Sequence, residues 1–511
     1  MIIGTCRRRV HGALLALMAM LLLSVSAAQA GIPQLRAEVE ANPGSVIAWV
    51  ALGNAYYQAA QFDQAKNAFL EAIALDYTSG DAHYGLGLSE FSRGDFQAAL
   101  FEFTEVTRLH SERFDGHFNR AVTLARLRRS DESAASFRTA LEQAAPEATA
   151  ADRVQAHLGL AGQLELAGDY SGAAGAYADA LEIEPENAGY ILRRGQALLS
   201  AGNGLEALPE LTALESRSGD YRVSALIADI YVGQGQIDYA MWSLERALEK
   251  AVAAEDGAAQ ASTLVKLGTL QRSLGRESDA AASYESAARV DPRSWEAQYN
   301  LGVTYLENGQ TRQALEPLQR AAELAPDRSD IALALATSHD QLAQSQEALM
   351  YARQALAAGL ADQEQITNAQ FIAGRAQYRL GDFRAASDLL RLVLQSRPTD
   401  PLSQMWAGLA AYQLADYTTA VGNFERAVQL NPNSIEARAN LGAGYLAAQR
   451  YQEAETAYSL LVSQNDSDFE SLYNLGWALF SQNRRSAATE AWVSSCELGY
   501  QPACSAISTY L

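Results

Sequence analysis

The repeating pattern starts with Trp49-Val50-Ala51-Leu52-Gly53-Asn54-Ala55-Tyr56-Tyr57. Ala65 follows Gly53 by twelve residues, and Phe69 follows Ala65 by four. The same spacing returns 34 residues later at Gly87, Ala99 and Phe103, and it recurs to the end of the chain. A fixed period of this length indicates a protein built from stacked repeats, each of which packs on its neighbours.

This unit resembles the tetratricopeptide repeat, a 34-residue helix-turn-helix motif. The resemblance covers residues 46–502 and implies an all-α fold, a right-handed α-solenoid superhelix of about thirteen repeats. The predicted repeats start at Val46, Gly80, Phe114, Val154, Ala188, Tyr221, Ala261, Trp295, Ser329, Thr367, Pro401, Ile435 and Phe469.

Two positions of the repeat are small and one is large. Position eight is Gly or Ala in all thirteen repeats, and position twenty is Ala in twelve. A helical glycine costs up to about 1 kcal/mol of propensity, which is tolerated if helices A and B of one repeat must approach closely. A large side chain at position twenty would overpack their crossing. We predict that the large residues at position 24 fill the groove to the next repeat: Phe69, Phe103, Phe137, Tyr177, Tyr284, Phe424, Tyr458 and Trp492.

The period is interrupted three times, by insertions at 148–153, 255–260 and 363–366, each after three repeats. They divide the repeats into blocks 46–153, 154–260, 261–366 and 367–502. The insertions are either hinges between blocks or neutral drift in loops. Residues 188–254 are the least regular, because Pro209 lies inside a predicted helix B and should kink it.

Both ends of the array differ from the repeats. Residues 1–30 have the layout of a secretory signal peptide: arginines at 7–9, an apolar run at 13–23, and the cleavage sequence Ala28-Gln29-Ala30. This predicts a periplasmic or secreted protein, although an uncleaved anchor is the alternative. We expect capping helices at 31–45 and 503–511, because terminal repeats of a solenoid otherwise expose an apolar face.

Removal of the leader takes away Cys6 and leaves Cys496 and Cys504. Two cysteines in an exported protein predict one disulfide. Their spacing resembles that of the cysteine-rich Sel1-like repeats of secreted bacterial proteins. The resemblance implies that the disulfide joins helix B of the last repeat to the helix that follows.

Charge and motifs argue against several functions. The formal net charge of −21 disfavours nucleic acid and anionic lipid as partners, since both require clustered basic residues. The chain has no glycine-rich phosphate loop, no His-Glu-x-x-His and no nucleophile elbow. His83, His117 and His157 share position four of helix A, which favours packing between repeats. We therefore predict no enzyme activity, no metal and no cofactor.

In the resembled family, ligands lie in the groove lined by positions 2, 5, 9, 12 and 13 of helix A. Here these positions carry many aromatic side chains, which a partner would bury. Coiling of the superhelix could bury them instead, and the pair Arg375 and Arg379 could either grip an acidic group or form solvated ion pairs. The predicted groove residues are Asn54, Tyr57, Tyr84, Phe91, Phe118, Phe371, Arg375, Tyr378, Arg379, Met405, Tyr412, Tyr473, Trp477 and Phe480.

Fold does not fix function, but the family resemblance implies a binding protein. We predict a non-catalytic scaffold or adaptor that binds proteins of a bacterial cell-envelope assembly through this groove. The alternative is direct binding of polysaccharide or unfolded polypeptide by the aromatic groove.

Overall fold

The computed structural model describes residue 29 and residues 31–143 and 148–510. The predicted signal peptide therefore lies outside the described residues, apart from position 29. In the described part of the chain the regular structure is entirely helical, which confirms the all-α fold. Helix α1 covers residues 31–41, and thirteen antiparallel pairs of A and B helices follow.

The A helices are α2 (Val46–Gln58), α4 (Gly80–Arg93), α6 (Phe114–Arg126), α8 (Ala150–Leu166), α10 (Ala188–Ser200), α12 (Tyr221–Gly233), α14 (Gly257–Ser273), α16 (Trp295–Glu307), α18 (Ser329–Gln341), α20 (Gln363–Arg379), α22 (Pro401–Gln413), α24 (Ile435–Ala447) and α26 (Phe469–Ser481). The B helices are α3 (Phe62–Leu75), α5 (Phe96–Leu109), α7 (Ser130–Gln143), α9 (Tyr170–Ile183), α11 (Leu208–Arg217), α13 (Ile237–Ala253), α15 (Glu277–Val290), α17 (Thr311–Leu324), α19 (Ser345–Ala358), α21 (Phe383–Ser396), α23 (Tyr417–Leu430), α25 (Tyr451–Gln464) and α27 (Arg485–Glu497). Helix α28 (Gln501–Tyr510) follows the last pair. None of the described helices is long and apolar enough to cross a membrane.

The second repeat shows how the sequence begins and ends these helices. The Ser79 hydroxyl accepts a hydrogen bond from the Ala82 amide and caps α4. Gly94 ends that helix in the left-handed conformation, with φ +85°, which glycine adopts without strain. Asp95 then accepts a hydrogen bond from the Ala98 amide at 3.1 Å and caps α5. The turn between the helices is thus encoded by one glycine and its neighbouring cap.

Each of the three insertions coincides with one extra helical turn. Ten A helices begin at the first residue of a sequence repeat, whereas α8, α14 and α20 begin four residues before it and contain 17 residues each. The division into three-repeat blocks stays a prediction. The contacts within the chain divide it into two units instead, of which unit 1 ends at Lys250 and unit 2 begins at Ala251.

Glycine at position eight makes room for the large side chain at position 24 of the same repeat. A β-carbon on Gly53 would lie 2.6 Å from the Phe69 ring, and one on Gly408 would lie 2.5 Å from the Phe424 ring. The Phe69 ring also contacts Gly85 of the next repeat. The position-24 ring therefore fills the interface between repeats, as expected, and also the interior of its own helix pair.

Pro209 does not kink a continuous helix, so that prediction is wrong. The segment begins with a short 3₁₀ helix, Gly204–Ala207, and α11 starts anew at Leu208. Pro209 then lies in the first turn of α11, where a missing N–H leaves no intrahelical hydrogen bond unmade. The buried Glu215 near the end of this shortened helix accepts hydrogen bonds from the Ser224 hydroxyl and from Arg246 Nε, the latter at 3.1 Å.

Short helices cover both ends of the array. At the start, Ile32 and Val39 of α1 are buried in one cluster with Leu52 and Tyr56 of α2. At the other end, α28 packs on α27, and a disulfide joins Cys496 to Cys504 with a Cα–Cα distance of 4.9 Å. The similarity of this end to Sel1-like repeats stays a prediction.

The three histidines at position four lie between helices, but their surroundings differ. Nδ1 of His83 lies 2.6 Å from the Glu102 carboxylate, and Nε2 lies 3.0 Å from the Tyr77 carbonyl. Burial of this ring opposes its protonation, yet these two acceptors outweigh burial and raise the pKa of His83. Burial lowers the pKa of His117 and that of His157.

We expect an NMR titration to separate these histidines. His83 should titrate above the usual value of about 6.5, and His117 and His157 below it. The contribution of His83 to stability is then complete below that value and is lost as pH rises through its folded pKa. Glu102→Gln should bring the pKa of His83 down. One common pKa for all three rings would contradict this account.

Gly408→Ala should destabilise α22 and α23, because the added methyl group overpacks against Phe424. We expect a penalty of about 1–3 kcal/mol, only partly offset by the gain in helix propensity. Gly422→Ala is the matched control, since Gly422 lies in α23 with no atom within 4 Å of a β-carbon. Hydrogen exchange of α22 and α23 should show faster opening in the first variant only. Equal exchange rates of α22 and α23 in the two variants would show that close packing of Gly408 on Phe424 does not stabilise this helix pair.

Candidate partner-binding groove

In unit 1 each predicted groove residue leaves part of its side chain exposed to solvent. Asn54 is exposed, and the rings of Tyr57, Tyr84, Phe91 and Phe118 are half-buried. Each ring contacts an aromatic side chain of helix B in the same repeat, and two pairs of repeat positions account for all four contacts. Position twelve meets position seventeen, and position five meets position 24: Tyr57 with Phe62 at 5.6 Å, Phe91 with Phe96 at 5.2 Å, Tyr84 with Phe103 at 5.9 Å and Phe118 with Phe137 at 5.6 Å between centroids.

Tyr84 is held from two further sides. Asn119 Nδ2 donates a hydrogen bond of 3.1 Å to its hydroxyl, and the Arg113 guanidinium lies 5.2 Å from its ring centroid. Arg113 in turn forms ion pairs of 2.7 Å with Asp81 and with Asp115. Burial raises the pKa of Tyr84 to about 12, so the hydroxyl stays neutral at physiological pH.

Two hollows open on the A-helix face of unit 1, of which the first adjoins Tyr84 and Phe118, and the sequence predicted neither as a whole. The first, the acid-rimmed hollow, has a volume of about 650 Å³. It is lined by Tyr84, Glu112, Arg113, Phe114, Asp115, Phe118, Asn119, Ala148 and Asp152. Asp152 belongs to the extra turn of α8, so this insertion contributes directly to the groove.

The second, the glycine hollow, has a volume of about 400 Å³. A β-carbon at Gly162, the position-nine residue of its repeat, would meet nothing within 4 Å. The missing side chain leaves open space beside the Tyr177 hydroxyl, which donates a hydrogen bond of 3.0 Å to Glu165. The lining residues are Leu158, Gly162, Glu165, Tyr177, Gly189, Tyr190 and Arg193.

In unit 2, two predicted groove residues belong to the core. Phe371 is 8% exposed and packs with Leu390 and Ala407, and Met405 is 6% exposed and packs with Ala427 and Ala437. Position five of these repeats thus points between helices instead of into an open groove. The prediction that Phe371 and Met405 line the groove is wrong.

Arg375 and Arg379 form ion pairs with one carboxylate. Asp340 of the preceding A helix is 7% exposed, and its oxygens lie 3.1 Å from Arg375 Nη1 and 2.8 Å from Arg379 Nη1. Both guanidiniums also lie over the Trp406 ring, at 5.0 Å and 5.6 Å from its centroid. Both arginines thus form ion pairs within the chain, but with a buried carboxylate and not the solvated pairs expected as the second alternative.

The remaining tyrosines of this cluster are half-buried. Tyr378 contacts Phe383 and Trp406, with centroid distances of 5.3 Å and 5.4 Å. Tyr412 contacts Tyr417 at 5.5 Å. Both pairs repeat the contact between positions twelve and seventeen found in unit 1. They keep one side open, as the rings of unit 1 do.

The last three predicted groove residues are covered by the C-terminal helix. Tyr510 of α28 lies 5.1 Å from Trp477 and 5.5 Å from Phe480, and Tyr500 lies 5.3 Å from Tyr473. These rings are half-buried and pack against the core between the last repeat and its cap. That they line a groove stays a prediction.

Across the described ranges, no three His, Cys, Asp or Glu side chains are grouped so that they could share a metal ion. Comparison with known sequences identifies the family of these repeats. The sequence profile of the tetratricopeptide repeat matches residues 50–112, 93–149, 118–189, 265–329 and 439–495. The chain belongs to the tetratricopeptide repeat family. Such repeats form scaffolds for protein–protein interaction, and this chain is a scaffold of that kind.

Other similarities are more distant. The profile of the anaphase-promoting complex, cyclosome, subunit 3 matches residues 362–460. Mouse DnaJ homolog subfamily C member 3 is 25% identical over 213 residues, which are 40% of this chain and 42% of that protein, and the human protein is 24% identical over the same length. The matches thus span about two fifths of these curated relatives.

Two solved structures illustrate the similarity of fold. The structure of Naa15/Naa10 bound to HypK-THB covers 89% of this chain and 76% of its own, with 14% identity and a TM-score of 0.41. YrrB, described as a tetratricopeptide repeat protein with an unusual peptide-binding site, is 22% identical with a TM-score of 0.33, covering 37% of this chain and 95% of its own.

Asp340→Asn should loosen α18 from α20, because two guanidiniums would lose the carboxylate that they share. We expect a loss of about 2 kcal/mol, in the range for hydrogen bonds to charged groups. Hydrogen exchange of α18 and α20 would measure it. Asp388→Asn is the control, since its 3.4 Å contact with Arg391 is exposed on both sides. Unchanged exchange in both variants would show that the Asp340 pairs contribute nothing.

Proposed function

We propose that the protein is a non-catalytic adaptor that binds an extended polypeptide partner in the groove of unit 1. The groove of unit 1 means the A-helix face from α2 to α10, with the two hollows. We also propose that it acts in a bacterial cell-envelope assembly, periplasmic or secreted, on the basis of the leader at residues 1–30.

One observation carries this proposal. In unit 1 the groove rings are half-buried against their B helices, the acid-rimmed hollow adjoins Tyr84 and Phe118, and the glycine hollow opens further along the same face at α8 and α10. Aromatic side chains that are already immobilised lose little entropy on binding, which favours affinity. In unit 2, Phe371 and Met405 are buried, Arg375 and Arg379 form ion pairs with Asp340, and the half-buried Tyr473, Trp477 and Phe480 pack against α28 or its disulfide-linked end.

The state of the rings favours a polypeptide over a polysaccharide. A sugar ring stacks on a free aromatic face, but Arg113 lies over one face of Tyr84. Phe118 is stacked on Phe114, with ring planes 19° apart and centroids 5.8 Å apart. Ring edges and hollows remain, and these suit side chains of an extended chain better than sugar rings. Polysaccharide binding is therefore an outcome of the test below.

Gly162→Leu should block partner binding by filling the glycine hollow. The added side chain enters open space, so we expect the variant to fold with unchanged or slightly higher stability. Gly175→Leu is the matched control, because Gly175 is an exposed helical glycine of the same repeat, also with nothing within 4 Å of a β-carbon, outside the hollow. Photo-crosslinking to envelope extract from a probe at position 84 measures the effect.

We expect one polypeptide to crosslink through the position-84 probe, with a yield reduced at least about tenfold by Gly162→Leu and unchanged by Gly175→Leu. Equal yields from both variants, or equal capture by a probe on the exposed side of α9, would refute binding in this groove. Binding of purified oligosaccharide that Gly162→Leu abolishes, without any crosslinked polypeptide, would establish the alternative function.

A further inference from the structure

We infer that the segment bound in the groove of unit 1 carries a basic side chain and, about four or five residues away, a large apolar side chain. This rests on the proposed function, because it assigns the chemistry of the partner for the same groove. It follows from the charge around one hollow, the apolar lining of the other, and their separation along α8.

The floor between the hollows is apolar. Val122 and Leu158, at positions nine and five of the A helices α6 and α8, are half-buried and pack against the same core cluster as Phe118. A partner that covers this floor gains affinity by removing apolar surface from water. The floor therefore selects an extended segment with apolar side chains over a purely polar one.

The rim of the first hollow is negatively charged after its internal ion pairs are counted. Arg113 is the one basic residue of the lining, and it is paired with Asp81 and Asp115. Glu112 has only His110 nearby, at 3.7 Å, and Asp152 accepts hydrogen bonds from uncharged groups of Thr149. Among the described residues, neither of these two carboxylates is paired with a lysine or an arginine.

A lysine or arginine side chain is complementary to this arrangement. Its aliphatic stem can pack on the rings of Tyr84 and Phe118 while its charge reaches the carboxylates at the rim. The chain as a whole has a net charge of −21, which adds long-range attraction for a basic segment. An acidic segment would be repelled at short range by the carboxylates at the rim and at long range by the net charge of the chain.

The extra turn of α8 is what brings Asp152 to this hollow. The corresponding extra turn of α20 also contains an acid, Glu364, but Arg397 pairs with it. The extra turn of α14 contains no acid. Of the three extra turns, only that of α8 thus carries an acid without a basic partner among the described residues; Glu255 and Asp256 of the second insertion precede the extra turn of α14.

The spacing of the two side chains follows from helix geometry. Asp152 and Gly162 belong to the same helix, and ten residues of an α-helix rise about 15 Å. An extended chain covers about 15 Å in four or five residues. A segment that places its basic side chain near Asp152 can therefore place an apolar side chain near Gly162.

The test uses labelled synthetic peptides of one length and the full chain, with fluorescence anisotropy as the readout. The first peptide carries Lys and Leu five residues apart in a Gly/Ser/Gln background, the second has Glu in place of Lys, and the third has Ser in place of Leu. The charge variant is Glu112→Gln with Asp152→Asn, since Asn retains an acceptor for the cap of α8. The control is Asp131→Asn with Glu142→Gln, which removes two exposed charges from α7.

We expect the Lys–Leu peptide to bind the unmodified chain about tenfold more tightly than either other peptide. The charge variant should weaken its binding about fivefold to tenfold at low salt, as expected for two partly exposed ion pairs, and flatten the salt dependence. The control should change binding less than about twofold, because only non-local attraction is lost.

Equal binding of the Lys and Glu peptides would overturn the inference, and so would equal weakening by the charge variant and the control. If no peptide binds while the position-84 probe still crosslinks a partner in a manner blocked by Gly162→Leu, the assigned chemistry is wrong and the proposed function stands. If that crosslink also fails, both are wrong.

Discussion

The nine repeats with glycine at position eight share one contact, between the backbone of helix A at that position and the side chain of helix B at position 24. The β-carbon that Gly53 or Gly408 lacks would lie inside the van der Waals radius of the Phe69 or Phe424 ring. The same contact persists where the large residue is leucine, as between Gly302 and Leu318. Close packing of this kind fixes the register of the two helices, because a shift by one residue would drive a side chain into the ring.

That contact also determines which side chains remain for the surface. In unit 1, where position eight and position 24 fill the interior of the pair, the aromatic residues at positions five and twelve pack on it from outside. Tyr84 meets the edge of Phe103, and Tyr57 meets Phe62. The groove of unit 1 is therefore made of rings that contact the core with their inner sides. Their outer edges make no contact with the core.

The helices could be predicted from the sequence because their information is local. A 34-residue period, small residues at two positions and caps such as Ser79 and Asp95 are all readable within one repeat. The break at Pro209 was misread because a proline is compatible with two outcomes, a kink or a new helix start. The sequence does not say which turn precedes it.

The groove could be predicted only in part, because exposure depends on residues from other repeats. Phe371 and Tyr84 share position five, yet Phe371 is buried by Leu390 and Ala407 whereas Tyr84 keeps an open side. Asp340 lies 35 residues before Arg375, and Tyr510 lies 33 residues after Trp477. No pattern within one repeat reveals that these distant residues neutralise or cover a predicted binding residue.

The two kinds of glycine in this chain show how the repeat can form a binding site without disturbing its core. At position eight the absent side chain is replaced by a ring from helix B, so the space is filled and the glycine is structural. At Gly162, one position later, the absent side chain is replaced by nothing, so the space remains for a partner. A single step along helix A turns a residue away from helix B and toward the groove. Variation at position nine can therefore reshape the groove of one repeat while the contact that holds the repeat together stays the same.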